Sequence, residues 1–357
     1  MISIKFLSAL VVVYVVSILA IYSIRPYAAK LFLEDVPRGR KQHKAPTPVI
    51  GGIGVVAGFY AVMAFFGYIP LEQPAFWVAS LFLFLVGVLD DMHEFSSKIK
   101  FVAQGIAAML MILWGHNKLD SLGNLFGTGD IMLNDFSIPV TIFFVVGVIN
   151  AFNLIDGVDG LCGSLSIVTT LSFAAASMLT GRNSDAVVLL MLSAAIAGFL
   201  SLNLRLPTRP AAVIFLGDAG ALFVGFVIAW YSIKLAGEQN RIMNPVVVVW
   251  LLAVPLFDTV AVMVRRMKSG HSPFMADRSH IHHVLLDLKI PDHNVVLILF
   301  LVATVFALTG LACTFFLRFS DTVMLMFFAG LFALYWYIKN KLFAYVQKCS
   351  LERVAVL

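Results

Sequence analysis

The sequence predicts an all-α integral membrane protein, a polytopic helical bundle of about 10 or 11 transmembrane helices that forms one domain over residues 1–357. Hydrophobic residues make up 61% of the chain and charged residues only 13%, whereas soluble domains have about 45–50% and about 25%. A spanning helix needs about 20 mainly apolar residues, and apolar runs follow one another along the whole chain. A lipid bilayer must therefore surround most of the protein.

The apolar runs define the predicted spans. They cover residues 4–24, 47–69, 75–89, 101–115, 138–153, 163–180, 186–203, 213–233, 245–264, 294–317 and 322–339. The runs 75–89 and 101–115 are short, so they need flanking residues or a locally thinner bilayer to span it. The sequence has no strong internal repeat and no charge cluster at mid-membrane, which are the features expected of a secondary transporter. A transporter is therefore the weaker alternative.

Lysine and arginine residues predict the orientation of the bundle. Six of them lie between the first two runs, and alternation of the spans places further segments on the same side. Those segments are residues 90–100, 154–162, 204–212, 265–293 and the tail with Lys339, Lys341 and Lys348. Because cytoplasmic loops are rich in Lys and Arg, we expect a periplasmic N-terminus and a cytoplasmic C-terminus. The net charge of +5 then reflects topology and attraction to anionic membrane lipids, not binding to nucleic acid.

Five aspartates lie at the predicted cytoplasmic ends of spans. They are Asp90, Asp91, Asp156, Asp159 and Asp218. Acidic groups near hydrocarbon are costly and usually functional, and a non-enzymatic membrane scaffold gives no reason for this placement. The adjacent Asp90 and Asp91 repel each other unless a cation or a proton offsets their charge. The alternative for this pair is a solvated helix C-terminus, where negative charge is mildly unfavourable.

The segment 150–163 combines amide and carboxylate side chains. Asn150, Asn153 and Asp156 are spaced at i, i+3 and i+6, so a helix presents them on one face. Glycines follow, and their flexibility lets Asp159 turn toward the same place. These oxygens are hard donors that suit Mg²⁺. The alternative is a simple turn between helices, which does not explain two asparagines inside an apolar run.

Two further segments offer contacts for a nucleotide. Asp218 lies between glycines near a predicted helix N-terminus, where a carboxylate suits the helix dipole and glycines let a phosphate approach the backbone. An N-cap role is the alternative for this residue. Phe215, three residues earlier, is a candidate to stack on a base. Lys44, in the first cytoplasmic loop, is a candidate phosphate contact, and topology is the equal alternative for it.

The cytoplasmic segment 265–293 is rich in cationic side chains. They include Arg265, Arg266, Arg278, His280, His282 and His283. Arginines suit a pyrophosphate, and imidazoles suit phosphate or proton handling. Zinc is the weaker alternative, because zinc sites usually add Cys or further carboxylates in fixed spacing. Asp258, inside the preceding span, is placed to hold an Arg or His of this segment in position.

Four motifs together resemble one enzyme family. They are LDD at 89–91, NAFNLIDGVDGL at 150–161, FLGDAG at 215–220 and DRSHIHH at 277–283. In this combination the chain resembles the polyprenyl-phosphate N-acetylhexosamine-1-phosphate transferases, a glycosyltransferase 4 or MraY-like family, over nearly its whole length. The branch that uses UDP-MurNAc-pentapeptide usually has three consecutive histidines. Here Ile281 interrupts them, as in the branch that uses UDP-GlcNAc.

The resemblance implies a reaction and its partners. It implies transfer of GlcNAc-1-phosphate from UDP-GlcNAc to undecaprenyl phosphate with Mg²⁺ or Mn²⁺, at the cytoplasmic face of the bacterial inner membrane. The lipid product would start O-antigen or enterobacterial common antigen chains in lipopolysaccharide biosynthesis. Another UDP-N-acetylhexosamine is the alternative donor, a covalent aspartyl-phosphate route is the alternative to direct displacement, and a homodimer is compatible with the family.

The resemblance also implies roles for individual residues. Asp218 matches the metal-binding aspartate, with Asn153 and Asp156 beside the metal and the diphosphate. The full metal set is Asp218, Asp156, Asn153 and Asp91, and the catalytic set is Asp90, Asp91, Asp159 and His280. The expected substrate contacts are Lys44, Asn150, Asn153, Asp159, Phe215, Arg265, Arg266, Arg278, His280, His282 and His283. Phe215 and Asp159 match uracil contacts, and Asp90 matches the residue that activates the lipid phosphate.

Overall fold

Helices dominate the fold, as the apolar runs predict. A computed structural model describes residues 4–37, 46–68, 73–205, 208–209, 211–238, 241–273 and 278–355. Within these ranges the α-helices are α1 Ile4–Ile24, α2 Gly51–Phe65, α3 Pro74–His93, α4 Ser97–Leu113, α5 Ser137–Ile155, α6 Leu161–Leu179, α7 Asn183–Asn203, α8 Gly217–Ala236, α9 Pro245–Leu251, α10 Ala253–Lys268, α11 Ile281–Asp287, α12 Asp292–Phe315 and α13 Asp321–Ala355. Two short strands, β1 Glu34–Asp35 and β2 Thr47–Pro48, pair antiparallel.

The fold is that of an all-helical, multi-pass membrane protein. In the described ranges eight helices are long and apolar enough to cross a bilayer, namely α1, α3, α5, α6, α7, α8, α12 and α13. Helices α9 and α10 together would supply a ninth span. Helix α2 has 15 residues and α4 has 17, so both are shorter than the usual span of about 20 residues. The count of 10 or 11 spans and the orientation of the termini stay predictions.

One predicted span is not a continuous helix. The run 245–264 is divided between α9 and α10, whose axes differ by 87° at Leu252. Pro255 lies in the first turn of α10 and has no backbone N–H, so it cannot donate to the carbonyl of Leu251 four residues earlier. The helix therefore ends and restarts in a new direction, which hydropathy alone does not reveal.

Two helices extend beyond the predicted runs. Helix α3 continues to His93, so Asp90 and Asp91 lie in its last turns and not after its end. Glu94 has a left-handed backbone (φ 52°) that stops this helix. Helix α13 continues to Ala355, so Lys339 belongs to a helix and not to a tail. Hydropathy detects where apolar residues end, but backbone hydrogen bonding continues into the polar flanks.

Helix α8 is the centre of the bundle. Within its apolar stretch 94% of the residues are buried, as expected for a helix that is apolar on all sides. Glycines let neighbouring helices approach its first turn. A Cβ atom at Gly52 of α2 would lie 2.2 Å from the Gly220 nitrogen, and one at Gly87 of α3 would lie 2.4 Å from the Ala219 Cα. Helices α2 and α3 thus hold the α8 N-terminus, where Asp218 lies.

The segment before α8 is fixed by backbone pairing. Phe215 N donates to Pro48 O at 2.8 Å, and Gly51 N donates to Phe215 O at 2.9 Å. The amide of Asn203, at the end of α7, donates to Ile214 O at 2.8 Å. These contacts link the two-stranded hairpin to the α8 N-terminus. Lys44 lies in the hairpin connection, outside the described residues.

We expect Gly87→Ala to destabilise the bundle, because a methyl group would collide with the α8 backbone at Ala219. Overpacking of this kind costs about 1–3 kcal/mol, and the thermal unfolding midpoint in detergent should fall. Gly147→Ala in α5 is the matched control, since a Cβ there meets no atom within 4 Å. It should leave the midpoint unchanged or raise it slightly. Equal midpoints for both variants would contradict the close approach of α3 to α8.

Candidate active site

A cavity of about 940 Å³ lies where α3, α5, α8 and α12 meet at one end of the bundle. Many of the predicted site residues line it, namely Asp90, Asp91, Asn153, Asp156, Asp159, Phe215, Asp218, Arg278 and His283. In total nine carboxylates and four Lys or Arg side chains contribute to its described lining. This excess of negative charge favours a cation in the cavity.

Asp91 binds the start of α8. Its Oδ1 accepts a hydrogen bond from the backbone N–H of Asp218 at 2.8 Å, and its Oδ2 accepts one from Ala219 at 3.0 Å. A carboxylate suits these exposed amides and the positive end of the helix dipole. Gly217, with φ of +77°, makes the turn into the helix, and a Cβ there would lie 2.5 Å from Asp91 Oδ2. Asp91 therefore fixes the backbone that presents Asp218.

Lys100 lies between two of the predicted carboxylates. Its ammonium is 2.9 Å from Asp90 Oδ2 and 3.4 Å from Asp218 Oδ2. The other oxygen of Asp90 accepts the Phe95 N–H at 2.6 Å. From the sequence, Lys100 counts only among the basic residues of segment 90–100 that predict the orientation. Its position in the first turn of α4, the helix that follows the Asp90–Asp91 pair, is the sequence feature that could have indicated this contact.

The face predicted for segment 150–163 is only partly formed. Asn153 donates its amide to Asp218 Oδ1, and both residues line the cavity with Asp156. Asn150 instead donates to Gln104 Oε1 at 2.6 Å and to Val146 O at 2.8 Å, and it is not part of the cavity lining. The helix ends at Ile155, so Asp156 lies beyond it. Burial, and then the negative charge of Asp218, raise the pKa of Asp156 well above its ordinary value.

Asp159 belongs to a chain of charges across the cavity. Arg205, just after α7, donates from Nε to Asp159 Oδ2 at 2.5 Å, and its Nη1 pairs with Asp292 Oδ2 at the start of α12. Gly160 N donates to Asn203 Oδ1 at 2.6 Å, which holds the Asp159 turn against α7. Arg205 and Asp292 were absent from the predicted site. Their partners lie 46 or more residues away in the chain, so no local pattern indicates them.

The histidines occupy two environments. His283 lines the cavity, whereas His280 and His282 are buried beside it, 4% and 0% exposed. His280 Nδ1 is 2.7 Å from Asp258 Oδ2, which confirms that Asp258 holds a histidine of this segment. A Cβ at Gly157 would lie 2.5 Å from His282 Nε2, so this ring packs on the segment that follows Asp156. The short helix α11, which includes His282 and His283, was not predicted.

The two imidazoles of α11 are poor bases in this environment. Burial, and then the charge of His283, lower the pKa of His282 to about 3. Burial, and then the positive charge of Arg278, lower the pKa of His283 to about 4. Both rings are therefore neutral at neutral pH. In that state they can donate and accept hydrogen bonds without adding charge.

The arginines are only partly brought together. Arg278 lines the cavity and lies 3.7 Å from Asp287. Arg265 and Arg266, at the end of α10, are not part of its described lining. The Arg265 guanidinium lies over the Phe343 ring at 3.2 Å from the centroid, and Arg266 Nη1 donates to Pro273 O at 2.7 Å. The placement of these two residues does not support direct contact with a ligand in this cavity.

The donor set fits a hard divalent cation. Among the described residues no group of three or more His, Cys, Asp or Glu side chains is arranged to enclose a metal. Mg²⁺ however seldom has an all-protein cage and usually binds one or two carboxylates plus substrate phosphates. Asp156 and Asp218 supply two carboxylates, and Asn153 supplies an amide. The side chain of Asp156 makes no hydrogen bond or ion pair to another described residue, which leaves its oxygens available.

The fold and the cavity are those of a multi-pass membrane protein with a candidate site for a divalent cation. Residues 74–236 match the model of glycosyl transferase family 4. The chain is similar to enzymes named undecaprenyl-phosphate alpha-N-acetylglucosaminyl 1-phosphate transferase from several bacteria. The chain is 34% identical to that of Escherichia coli K12 over 331 residues (92% of this chain, 89% of the relative) and 35% identical to that of Yersinia pestis over 332 residues (92% and 90%). For Haemophilus influenzae the identity is 34% over 306 residues (84% of each chain).

The chain therefore belongs to glycosyl transferase family 4. The enzymes of this family generally depend on a divalent metal ion, in agreement with the acidic lining of the cavity. The family match covers α3 to α8, and these helices contribute Asp90, Asp91, Asn153 and Asp218. The relatives extend the similarity over the histidine segment as well.

We expect His282 to make the protein sensitive to acid. Its pKa is about 6.5 in the unfolded chain and about 3 in the fold, so the unfolded state binds the proton first. The contribution of the neutral His282 ring to the free energy of unfolding is complete above pH 6.5. It decreases as the pH falls, by about 1 kcal/mol between pH 7.5 and 5.5. His282→Phe should therefore show a smaller drop of the unfolding midpoint over this interval.

The matched control is His293→Phe, which changes an exposed imidazole at the start of α12. It should keep the acid sensitivity of the wild type. A His282→Phe protein that loses as much stability as the wild type between pH 7.5 and 5.5 would contradict burial of a neutral ring at this position.

Proposed function

We propose that the protein transfers GlcNAc-1-phosphate from UDP-GlcNAc to undecaprenyl phosphate, giving undecaprenyl-diphospho-GlcNAc and UMP. The observation that supports this most strongly is the similarity over 92% of the chain to enzymes named for this reaction. The acidic cavity and its Arg and His border suit a nucleotide diphosphate and a divalent cation. The product would start O-antigen or enterobacterial common antigen chains in lipopolysaccharide biosynthesis.

The reaction takes place at the cytoplasmic face of the bacterial inner membrane in this proposal. The basic residues flanking the predicted spans support that orientation, and UDP-sugars are cytoplasmic donors. The cavity lies at helix ends, which is where a lipid-linked acceptor in the bilayer and a soluble donor would meet in this proposal. A homodimer remains a prediction.

The proposed chemistry is a direct displacement at phosphorus. An oxygen of the lipid phosphate attacks the β-phosphorus of UDP-GlcNAc and forms the new P–O bond of the lipid diphosphate. The bond between the β-phosphorus and the bridging oxygen breaks, and UMP leaves with its electron pair. The second pKa of a phosphate is about 6, so the acceptor is mostly dianionic at pH 7 and needs orientation more than deprotonation.

Asp156, Asp218 and Asn153 would hold Mg²⁺, with Mn²⁺ as a substitute. When bound, the ion offsets the charge of the diphosphate and of the departing UMP. Asp91 contributes by holding the α8 N-terminus, so that the Asp218 carboxylate faces the cavity without rearrangement. A preorganised carboxylate costs no reorganisation at the moment of reaction.

Lys100 and Asp90 would orient the acceptor. The ammonium of Lys100 is shared by Asp90 and Asp218, so an incoming phosphate can exchange with a carboxylate as its partner. Asp90 then accepts the remaining proton of a monoanionic lipid phosphate. Arg278 and the neutral His283 also line the cavity and would contact the donor diphosphate. Phe215 and Asp159 are the proposed contacts of the uracil.

A direct displacement and a covalent aspartyl-phosphate route differ in one observable. Incubation of the purified protein with β-³²P-labelled UDP-GlcNAc alone should leave the protein unlabelled if the displacement is direct. Labelled protein that transfers its label to undecaprenyl phosphate in a chase would overturn the one-step mechanism.

The function is tested with purified protein, undecaprenyl phosphate, Mg²⁺ and a panel of UDP-sugars. We expect UMP release and one lipid product whose mass corresponds to undecaprenyl-diphospho-GlcNAc, with UDP-GlcNAc as the best donor. A different UDP-N-acetylhexosamine as the best donor would correct the substrate. No lipid product with any donor would overturn the proposed function.

Asp218→Asn should reduce kcat by at least about 100-fold, because a neutral amide binds a divalent ion much more weakly than a carboxylate does. The unfolding midpoint should stay close to that of the wild type. Asp130→Asn is the matched control, since Asp130 pairs with Arg241 far from the cavity and should leave turnover unchanged. Wild-type turnover of Asp218→Asn at ordinary Mg²⁺ concentrations would contradict its proposed metal role.

Removal of divalent ions by a chelator should abolish UMP release and leave the fold intact. The cavity already contains Lys100 and Arg205 as partial counterions, so the metal-free protein keeps compensation for part of its negative charge. Added Mg²⁺ should restore turnover, and Mn²⁺ should restore it at least partly. Full turnover in the chelator would exclude the proposed cofactor.

A further inference from the structure

One buried carboxylate joins the last helix to the histidine segment. Asp258 on α10 is 1% exposed, and Lys339 on α13 is 4% exposed. The Lys339 ammonium donates to Asp258 Oδ1, and the Tyr335 hydroxyl donates to the same oxygen at 2.9 Å. Two residues one helical turn apart on α13 thus converge on a single side chain of α10.

The same carboxylate holds the beginning of α11. Its Oδ2 is 2.7 Å from His280 Nδ1, and its Oδ1 accepts the backbone N–H of Ile281 at 2.9 Å. The rings of His280 and His282 stack with centroids 5.7 Å apart, and the rings of His282 and His283 are 4.2 Å apart. A continuous row of side chains therefore runs from Lys339 through Asp258 to His283 at the cavity.

Burial makes this arrangement depend on charge balance. A buried carboxylate that loses its cationic partner keeps an uncompensated charge, and that is far more destabilising than replacing both partners by neutral groups. Without Lys339, the Asp258 carboxylate would lose its lysine partner and keep its hydrogen bonds to other described residues. His280 would then lose part of what fixes its position, and a displacement of this ring is passed to the rings packed against it.

We propose that Lys339 is a positioning residue for the transfer reaction, acting through Asp258 and His280 on segment 280–283 at the cavity. The proposal rests on the proposed function, because the reaction gives this segment its role. Lys339 does not line the cavity. It acts on the donor only through His283, which is placed at a diphosphate whose charge changes during the reaction, so we expect its loss to lower kcat more than donor affinity.

The test is Lys339→Met in the full-length protein, compared with Lys341→Met. Lys341 lies two residues further along the same helix, is exposed, and has its ammonium 5.6 Å from the centroid of the Tyr337 ring. We expect Lys339→Met to lower kcat at least tenfold while the Kd for UDP-GlcNAc, measured by calorimetry, stays within about threefold. Lys341→Met should match the wild type in both quantities.

A second variant separates charge balance from general loss of structure. Asp258→Asn added to Lys339→Met removes the uncompensated carboxylate, and its amide oxygen can still accept a hydrogen bond from His280. We expect the double variant to recover at least fivefold in kcat over Lys339→Met. A merely structural role predicts the opposite, because a second substitution in the same buried cluster would lower activity further.

Three outcomes overturn the proposal. They are a folded Lys339→Met protein with kcat within twofold of the wild type, a double variant no more active than the single one, and a loss that appears only in donor affinity.

If Lys339→Met does not fold, Tyr335→Phe is the replacement test, because it keeps the ion pair and loses one hydrogen bond. This variant should lower kcat two- to fourfold. A Tyr335→Phe protein with the kcat of the wild type would overturn the proposal. If the wild-type protein yields no lipid product, that result contradicts the proposed function and does not test the role of Lys339.

Discussion

The bidentate contact between Asp91 and the first amides of α8 is the interaction on which the site depends. It joins the end of α3 to the start of α8, and the close approach at Gly87 and Gly217 is required for it. The contact satisfies backbone N–H groups that would otherwise be unpaired at a helix end near the bilayer. It also fixes the direction of Asp218, so that stability of the bundle and geometry of the site arise from the same side chain.

The acidic cavity imposes a second constraint. Nine carboxylates and four permanent cations face one space, and carboxylates that are close together and partly shielded from water resist ionisation. Lys100 and Arg205 each bridge two carboxylates, but they leave an excess of negative charge. A divalent cation bound with an anionic substrate completes the balance, which links donor binding to metal binding in the proposed mechanism.

Much of this arrangement could be predicted from the sequence, and the limits have physical causes. Hydropathy detected every long helix because the bilayer selects for apolar length. The motifs around Asp90, Asn153 and Asp218 are local, so spacing and family resemblance were enough to bring them into one candidate site. The positions of Lys100, Arg205 and Asp292 depend on packing between distant helices. The orientation of Asn150 toward Gln104 was missed for the same reason, since periodicity gives a face of a helix but not its neighbour.

Helix α13 illustrates why a charge can have two functions. Only 11% of the residues in its apolar stretch are buried, so hydrophobic packing alone places it weakly. Polar contacts hold it at two places. Asp321, at the start of the helix, accepts hydrogen bonds from Asn124 N at 3.0 Å and Asn244 Nδ2 at 2.7 Å. Lys339, near the middle of the helix, pairs with Asp258. By the positive-inside rule Lys339 is a topology signal, yet its burial beside Asp258 means that it also sets the position of a helix against the histidine segment. In a membrane protein whose outer helices contact mainly lipid, polar contacts of this kind fix the position of one helix along its neighbour.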